Sequence, residues 1–258
     1  MKKIFYLLFA LSVMSCGSDD IVSENQQQTA DLSPEKALVH YMEFPKIVPF
    51  SPSYYTFNYE NGRLIKMTGK IQEFSNVGYL FFPEPYRTLT YNDNKVELKD
   101  SDNAYSTVIY TMESDRPKKS ELYIDNELVT TKSYTYESNK IMVYEDTYNK
   151  NKEVFITYLF DSNQNLIKSE KLEKSGGADK TLTTTNYSNF DQAKNPFKKL
   201  SLINDNLYEK SLSINNYRKV EGTVYQFYNP NQFPPGSFNS QWTYQYDSNG
   251  QVLLFHSL

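Results

Sequence analysis

The sequence predicts an all-β fold: a single antiparallel meander of successive hairpins, strongly twisted or curled, with roughly a dozen or more strands at ~5–6 residues each. Three observations predict it. The apolar content is aromatic, with 23 Tyr and 16 Phe against nine Gly, and aromatic and β-branched residues favour strands over helices. The 24 Asn suit tight turns, because Asn tolerates the left-handed region and makes Asx hydrogen bonds. From Tyr54 onward an aromatic strand, an Asx- or Gly-containing turn and an aliphatic strand recur, and no later segment sustains a 3.6-residue apolar period.

Ahead of this domain lie two different segments. Lys2 and Lys3 precede the apolar run Ile4 to Val13, which is too short to span a bilayer and suits a signal-peptide core. The run closes in Val13-Met14-Ser15-Cys16, which resembles the lipobox of bacterial lipoproteins. That resemblance implies a cleaved leader over 1–15, a lipid on the Cys16 sulfur and membrane attachment through it. Residues 16–33 then form a polar, aperiodic tether, long enough to hold the domain ~20–25 Å from its anchor, and the β domain is expected over 34–258. Ser18-Asp19-Asp20 resembles the acidic export signal of Bacteroidetes surface lipoproteins. It implies an outer-membrane protein facing the cell surface, whereas a plain soluble linker leaves the periplasmic face open.

Composition excludes several function classes. Cys16 is the only cysteine, which rules out an intramolecular disulfide framework, a cysteine zinc site and, once it is lipidated, a thiol nucleophile. Loss of Lys2 and Lys3 with the leader takes the formal charge from −4 to −6. Nucleic-acid binding needs a clustered basic face, so nucleic acid is not an expected partner.

Along the domain, Ser33-Pro34-Glu35-Lys36 fits a helix start, but Ala37 to Phe44 reads rather as the first strand. The recurring unit runs over residues 55–65, 89–98, 123–129, 134–143, 158–167 and 242–255, too unevenly spaced for a solenoid. With Gly250 left-handed in a three-residue loop, Asp247 faces Gln251, Tyr246 opposes Val252, Tyr244 opposes Leu254 and Trp242 opposes His256. The same loop at Glu60-Asn61-Gly62 sets Phe57 against Ile65 and Tyr55 against Met67, while the register at Phe160 is undecided. These units resemble the tyrosine-aspartate (YD) repeats of bacterial surface proteins. The chain also resembles Bacteroidetes lipoproteins of unknown function built from such hairpins, on Tyr246-Asp247-Ser248-Asn249-Gly250-Gln251 and on Phe190-Asp191-Gln192-Ala193-Lys194-Asn195-Pro196-Phe197. The resemblance implies hairpins, with carbohydrate binding as one use of them.

No catalytic residues, cofactor or metal site are expected. His40 and His256 lie outside any recognisable catalytic motif, no pair of carboxylates stands out for glycoside cleavage, and the Asp/Asn runs at 93–94, 161–163 and 247–249 read as Asx turns rather than calcium loops. Two proline-flanked aromatic segments, Ser75 to Tyr86 and Tyr228 to Phe238, are expected to leave the regular sheet. There they either plug its end or present flat aromatic faces to a ligand. Tyr79, Phe82, Tyr86, Tyr228, Phe233 and Phe238 are the candidate binding residues. The expected function is that of a non-catalytic, lipid-anchored envelope protein, a protein-interaction or ligand-binding module. A glycan-capturing surface lipoprotein is the alternative and a glycoside hydrolase the remote one.

Cys16→Ser should abolish fatty-acid labelling of the protein and shift it from the membrane to the soluble fraction; labelling that survives the substitution would disprove the anchor.

Overall fold

The computed structural model describes residues 32–43, 53–75, 78–148, 151–227 and 234–256. The leader, Cys16, most of the tether, Tyr228 and Phe233 lie outside them. The chain runs β1 (Lys36–Leu38), α1 (Val39–Glu43), β2 (Tyr54–Glu60), β3 (Arg63–Phe74), β4 (Gly78–Asn92), β5 (Lys95–Asp100), β6 (Asn103–Glu113), β7 (Arg116–Ile124), β8 (Glu127–Tyr136), β9 (Lys140–Thr147), β10 (Lys152–Phe160), β11 (Leu166–Ser175) and β12 (Ala178–Ser188). After a long excursion come β13 (Lys219–Gln226), β14 (Gly236–Gln241), β15 (Gln245–Tyr246) and β16 (Val252–Leu253). Strands β1 to β14 form one 14-stranded antiparallel sheet in sequence order, and β15–β16 form a separate hairpin. The all-β meander expected from the sequence is thus the observed fold. Residues 36–43 divide between a strand and a helical turn.

Four hairpins use one device. A two-residue turn with both residues left-handed joins the strands at Asn61-Gly62, Ser114-Asp115, Asp125-Asn126 and Gly176-Gly177. The third residue of each returning strand (Ile65, Lys118, Val129, Lys180) is then left without a partner. Such a bulge restores the facing of side chains and increases the local twist. It also corrects the predicted register at β2–β3. Glu60 pairs with Arg63 across the tight turn, and the bulge at Ile65 sets Phe57 opposite Met67 rather than Ile65. Phe57 and Met67 are both buried.

The other loop type matches expectation. Asp247 Oδ1 accepts from the Asn249 and Gln251 amides, Asp247 N–H donates to the Gln251 carbonyl, Gly250 is left-handed and Tyr246 pairs with Val252. The same loop recurs at Asp161, whose Oδ1 accepts from Asn163 and Asn165 with Gln164 left-handed, so that Phe160 pairs with Leu166. This settles the undecided register.

The proline-rich segment at 78–86 does not leave the sheet, contrary to expectation. Strand β4 passes through Pro83 and Pro85, because Thr68 pairs with Tyr86 and Lys70 with Phe82, leaving residues 83–85 in a bulge opposite Gly69. On the other side pairing with β5 begins only at Arg87. The prolines therefore sit where the ladder asks for no donor. A Cβ on Gly69 would stand 2.6 Å from Phe81 and 2.9 Å from Tyr55, whose rings meet edge to face at this point.

The sheet is curled around the chain between β12 and β13. Laid flat, 14 strands would span ~60 Å. Yet residues 189–218 touch it from end to end: Lys199 Nζ lies 5.9 Å from the Tyr59 ring on β2, and Tyr217 stacks 4.7 Å from Tyr187 on β12. This excursion holds a 3-10 turn (Lys198–Leu200) and α2 (Asp205–Leu212), with the Asn204 side chain capping α2 by accepting from the Leu207 amide. Its turns are held by buried amides. Asn195 Nδ2 donates to the Lys210 and Ser213 carbonyls and its Oδ1 accepts from Phe197 N–H, while Asp191 Oδ1 accepts from the Ala193 and Asn216 amides. The ammonium of Lys210, itself buried, donates to the Tyr41 and Met42 carbonyls at the end of α1. Two apolar clusters result, one under β1–β6 with the C-terminal hairpin and one under β9–β13 with Tyr208 and Tyr217.

The outer face mixes charged residues with exposed rings such as Tyr105, Tyr144 and Phe155. One cross-strand row reads Thr90, Glu97, Ile109, Glu121, Thr131, Asp146, Glu153 from β4 to β10. Same-face lysines pair with its glutamates, at 2.9 Å for Lys99–Glu97 and 2.7 Å for Lys119–Glu121.

Asn195→Ala orphans three buried backbone groups and should lower the unfolding free energy by about 2–4 kcal/mol in denaturant titrations. Thr131→Ala on the outer face should stay within about 0.5 kcal/mol of the parent.

Candidate functional site

A cleft of about 470 Å³ opens between α2 and the inner face of β10–β14, within the ~300–1,000 Å³ range of small-molecule sites. One cross-strand row explains it. Tyr158 on β10 is followed by Ser169 on β11, Thr185 on β12, Gly222 on β13 and Phe238 on β14. Tyr158, itself buried, and the Phe238 ring thus flank the small residues Ser169, Thr185 and Gly222. The row beside it, Ile156, Lys171 and Thr183, adds one apolar and two polar side chains to the lining. A Cβ on Gly222 would collide with the Phe238 ring and the Thr184 carbonyl; glycine here lets the ring lie down on the β13 backbone.

The roof is one side of α2. Asp205 and Glu209, one turn apart and so on the same face, line the cleft together with Asn206. Asp205 is gripped by Lys132 of β8 at 2.6 and 2.7 Å, and Lys132 also reaches Glu145 at 3.1 Å. Burial disfavours the Lys132 ammonium, but the two carboxylates outweigh it and hold its pKa above the ordinary lysine value. Lys171 is turned to Glu173 at 2.6 Å. That bond, against an opposing effect of burial, holds the Glu173 carboxyl below its usual range.

Tyrosines supply the remaining polar groups. The Tyr187 and Ser169 hydroxyls are 2.8 Å apart. Burial pushes the Tyr158, Tyr187 and Tyr217 hydroxyls well above the ordinary phenol range, and the Glu209 carboxylate pushes further in the same direction. They are therefore neutral hydroxyls that can both donate and accept. The chemistry on offer is a set of hydroxyl, amide and carboxylate groups beside the Phe238 ring. Both cleft carboxylates come from one helix on one wall, whereas glycoside cleavage uses carboxyl groups flanking the scissile bond.

Of the candidate residues predicted from the sequence, Phe238 lines this cleft and belongs to strand β14 rather than to a loop. Tyr79, Phe82 and Tyr86 lie on β4, opposite Glu73, Lys70 and Thr68, away from it. Tyr86 stacks under Lys66 Nζ at 4.1 Å, and Phe82 meets Phe74 at 6.2 Å. Tyr228 and Phe233 lie outside the described residues. His40 and His256, remote in sequence, both pack beside Tyr41, with ring centroids 3.9 and 6.3 Å from it. Burial first, then the charges of His256 and Lys210, lower the His40 pKa.

No family model and no curated protein sequence matches the chain. Among solved structures it is similar to a porin-like protein from Bacteroides vulgatus ATCC 8482, with a TM-score of 0.57 and 12% identity over 86% of this chain and 90% of that one. At that identity the likeness is one of fold. The signal that identifies the cleft is the alignment of Ser169, Thr185 and Gly222 across three strands, which no single segment of sequence displays.

The inner-face tyrosines should titrate late. Tyr134 is pushed up to about 12, chiefly by burial, and Tyr158, Tyr187 and Tyr217 go higher than the free phenol. With folded pKa values above the unfolded value of ~10, their contribution to stability is complete below pH ~10 and falls as pH rises beyond it. Phenolate absorbance from this inner set should thus rise only together with loss of the folded circular dichroism signal. A single early phase with the fold intact would contradict this.

Proposed function

We propose that the protein is a non-catalytic, lipid-anchored protein of the outer membrane that holds a saccharide in the cleft under α2. The row Tyr158, Ser169, Thr185, Gly222, Phe238 carries the reading. The exposed Phe238 ring packs against the C–H face of a sugar ring, while the hydroxyl floor and the α2 carboxylate and amide groups exchange hydrogen bonds with its hydroxyls. With Lys132 and Lys171 already engaged by carboxylates, a neutral polyol suits the cleft better than an anion.

Attachment through Cys16 rests on the lipobox-like Val13-Met14-Ser15-Cys16. The name of the porin-like neighbour agrees with an outer-membrane setting, and the acidic Ser18-Asp19-Asp20 favours the cell surface.

A glycan array probed with the purified protein should return neutral oligosaccharides. Phe238→Ala, at a ring that is 37% exposed, should weaken their binding at least ~10-fold (about 1.4 kcal/mol) while the folded circular dichroism spectrum is kept. Absence of any bound glycan, or binding indifferent to this change, would overturn the reading.

A further inference from the structure

We infer that β14 is a docking edge for a second copy of this chain, joining the two sheets antiparallel about a twofold axis through Asn239. The inference begins with hydrogen-bond accounting. In an antiparallel pair, hydrogen-bonded and non-hydrogen-bonded positions alternate. Trp242 N–H donates to the Arg218 carbonyl at 2.9 Å, and the ladder runs unbroken from Lys219–Gln241 to Val224–Gly236. Phe238 and Ser240 therefore turn their backbone groups toward β13, and Ser237, Asn239 and Gln241 turn theirs away. Among the described residues no backbone group meets these three from the other side.

Sheet edges in monomeric proteins are normally blunted by charge, proline, a bulge or a cover. The opposite edge follows that rule: β1 is three residues long, carries Lys36 and is covered where Leu38 N–H donates to the Leu254 carbonyl at 2.8 Å. Strand β14 does not. Its sequence Gly-Ser-Phe-Asn-Ser-Gln holds no charge and no proline, has no register shift, and is exposed at every position but Ser240.

The edge is complementary to itself. A twofold axis at Asn239 places Ser237 opposite Gln241 of the second copy and Asn239 opposite its own mate, so every outward backbone group finds a partner. No like charges meet, although the chain as a whole is acidic. Pro234 and Pro235 immediately precede the strand, and Pro235 has no amide hydrogen to extend the ladder, which limits the joint to β14. An axis normal to the sheet keeps both inner faces on one side and brings Phe238 of one copy beside Ser240 of the other, so the two clefts adjoin. A joint of this length is smaller than the standard ~1,600 Å² interface, and micromolar association is expected.

Single-cysteine variants of the full chain in mild detergent test the register. On the twofold axis the Cα atoms stand ~5.5 Å apart, within disulfide reach. Asn239→Cys should give a disulfide-linked dimer on mild oxidation. Ser237→Cys and Gln241→Cys should each stay monomeric alone and cross-link when mixed. Ser237→Lys, an exposed change that leaves the fold intact, should abolish the dimer seen by sedimentation at about 100 times the micromolar dissociation constant. A chain that sediments as a monomer at that concentration, or a Ser237→Cys variant that links to itself as readily as Asn239→Cys, would overturn the inference.

Discussion

An open sheet of 14 strands has a face that cannot be left to water, and everything else in this molecule depends on how that face is covered. Residues 189–218 do it. Their apolar side chains fill the trough of the curled meander, and the Asn195, Asp191 and Asn216 side chains hydrogen-bond the turns of this segment. A continuous patch of tyrosine, leucine and valine on a flat sheet would far exceed what a soluble surface tolerates. Curvature and cover are therefore one requirement. Tyrosine suits this, because a large ring can be buried while its hydroxyl finds a partner, as Tyr136 does at the Pro117 carbonyl and Tyr91 at the Leu64 carbonyl.

The cleft is what remains where this cover is incomplete. Beneath the N-terminal half of α2 the sheet offers Ser169, Thr183 and Thr185 rather than large apolar residues, so the helix stands off from the strands. The ion pair between Asp205 and Lys132 holds it at that height. Large side chains return at Tyr158 and Phe238, on either flank of the gap. A site made by leaving side chains small on a rigid sheet needs no moving loop to form it. That agrees with the placement of most of its lining on strands whose backbone is fixed by neighbours on both sides.

Turn chemistry was the most legible part of the sequence, because a turn's geometry is set by residues adjacent in the chain. Asp247-Ser248-Asn249-Gly250 specifies its own hydrogen bonds and with them the pairing of Tyr246 with Val252. The β2–β3 register was less legible, since the bulge at Ile65 answers to which face of β3 meets the core. Helix α2 escaped notice because its eight residues are too few for a periodicity to emerge, and its stability comes from contacts with Tyr134 and Tyr158 on distant strands. The path of β4 through two prolines departs from the sequence expectation for a related reason. Proline forbids a ladder bond only where the neighbouring strand would accept one, and Gly69 removes that demand from across the sheet. The cleft was illegible for the strongest form of the same reason, its defining residues being brought into line only by pairing across β11, β12 and β13.

The repeated bulge at the third residue of the returning strand has a consequence for how such a domain can change in size. Each of these hairpins restores its own facing before it meets its neighbour, so its curvature is generated locally and handed on unchanged. Strands can then be gained or lost two at a time without disturbing the register of those that remain. The meander is in this sense a ribbon of independent links, and its length is free to follow the size of what it must enclose.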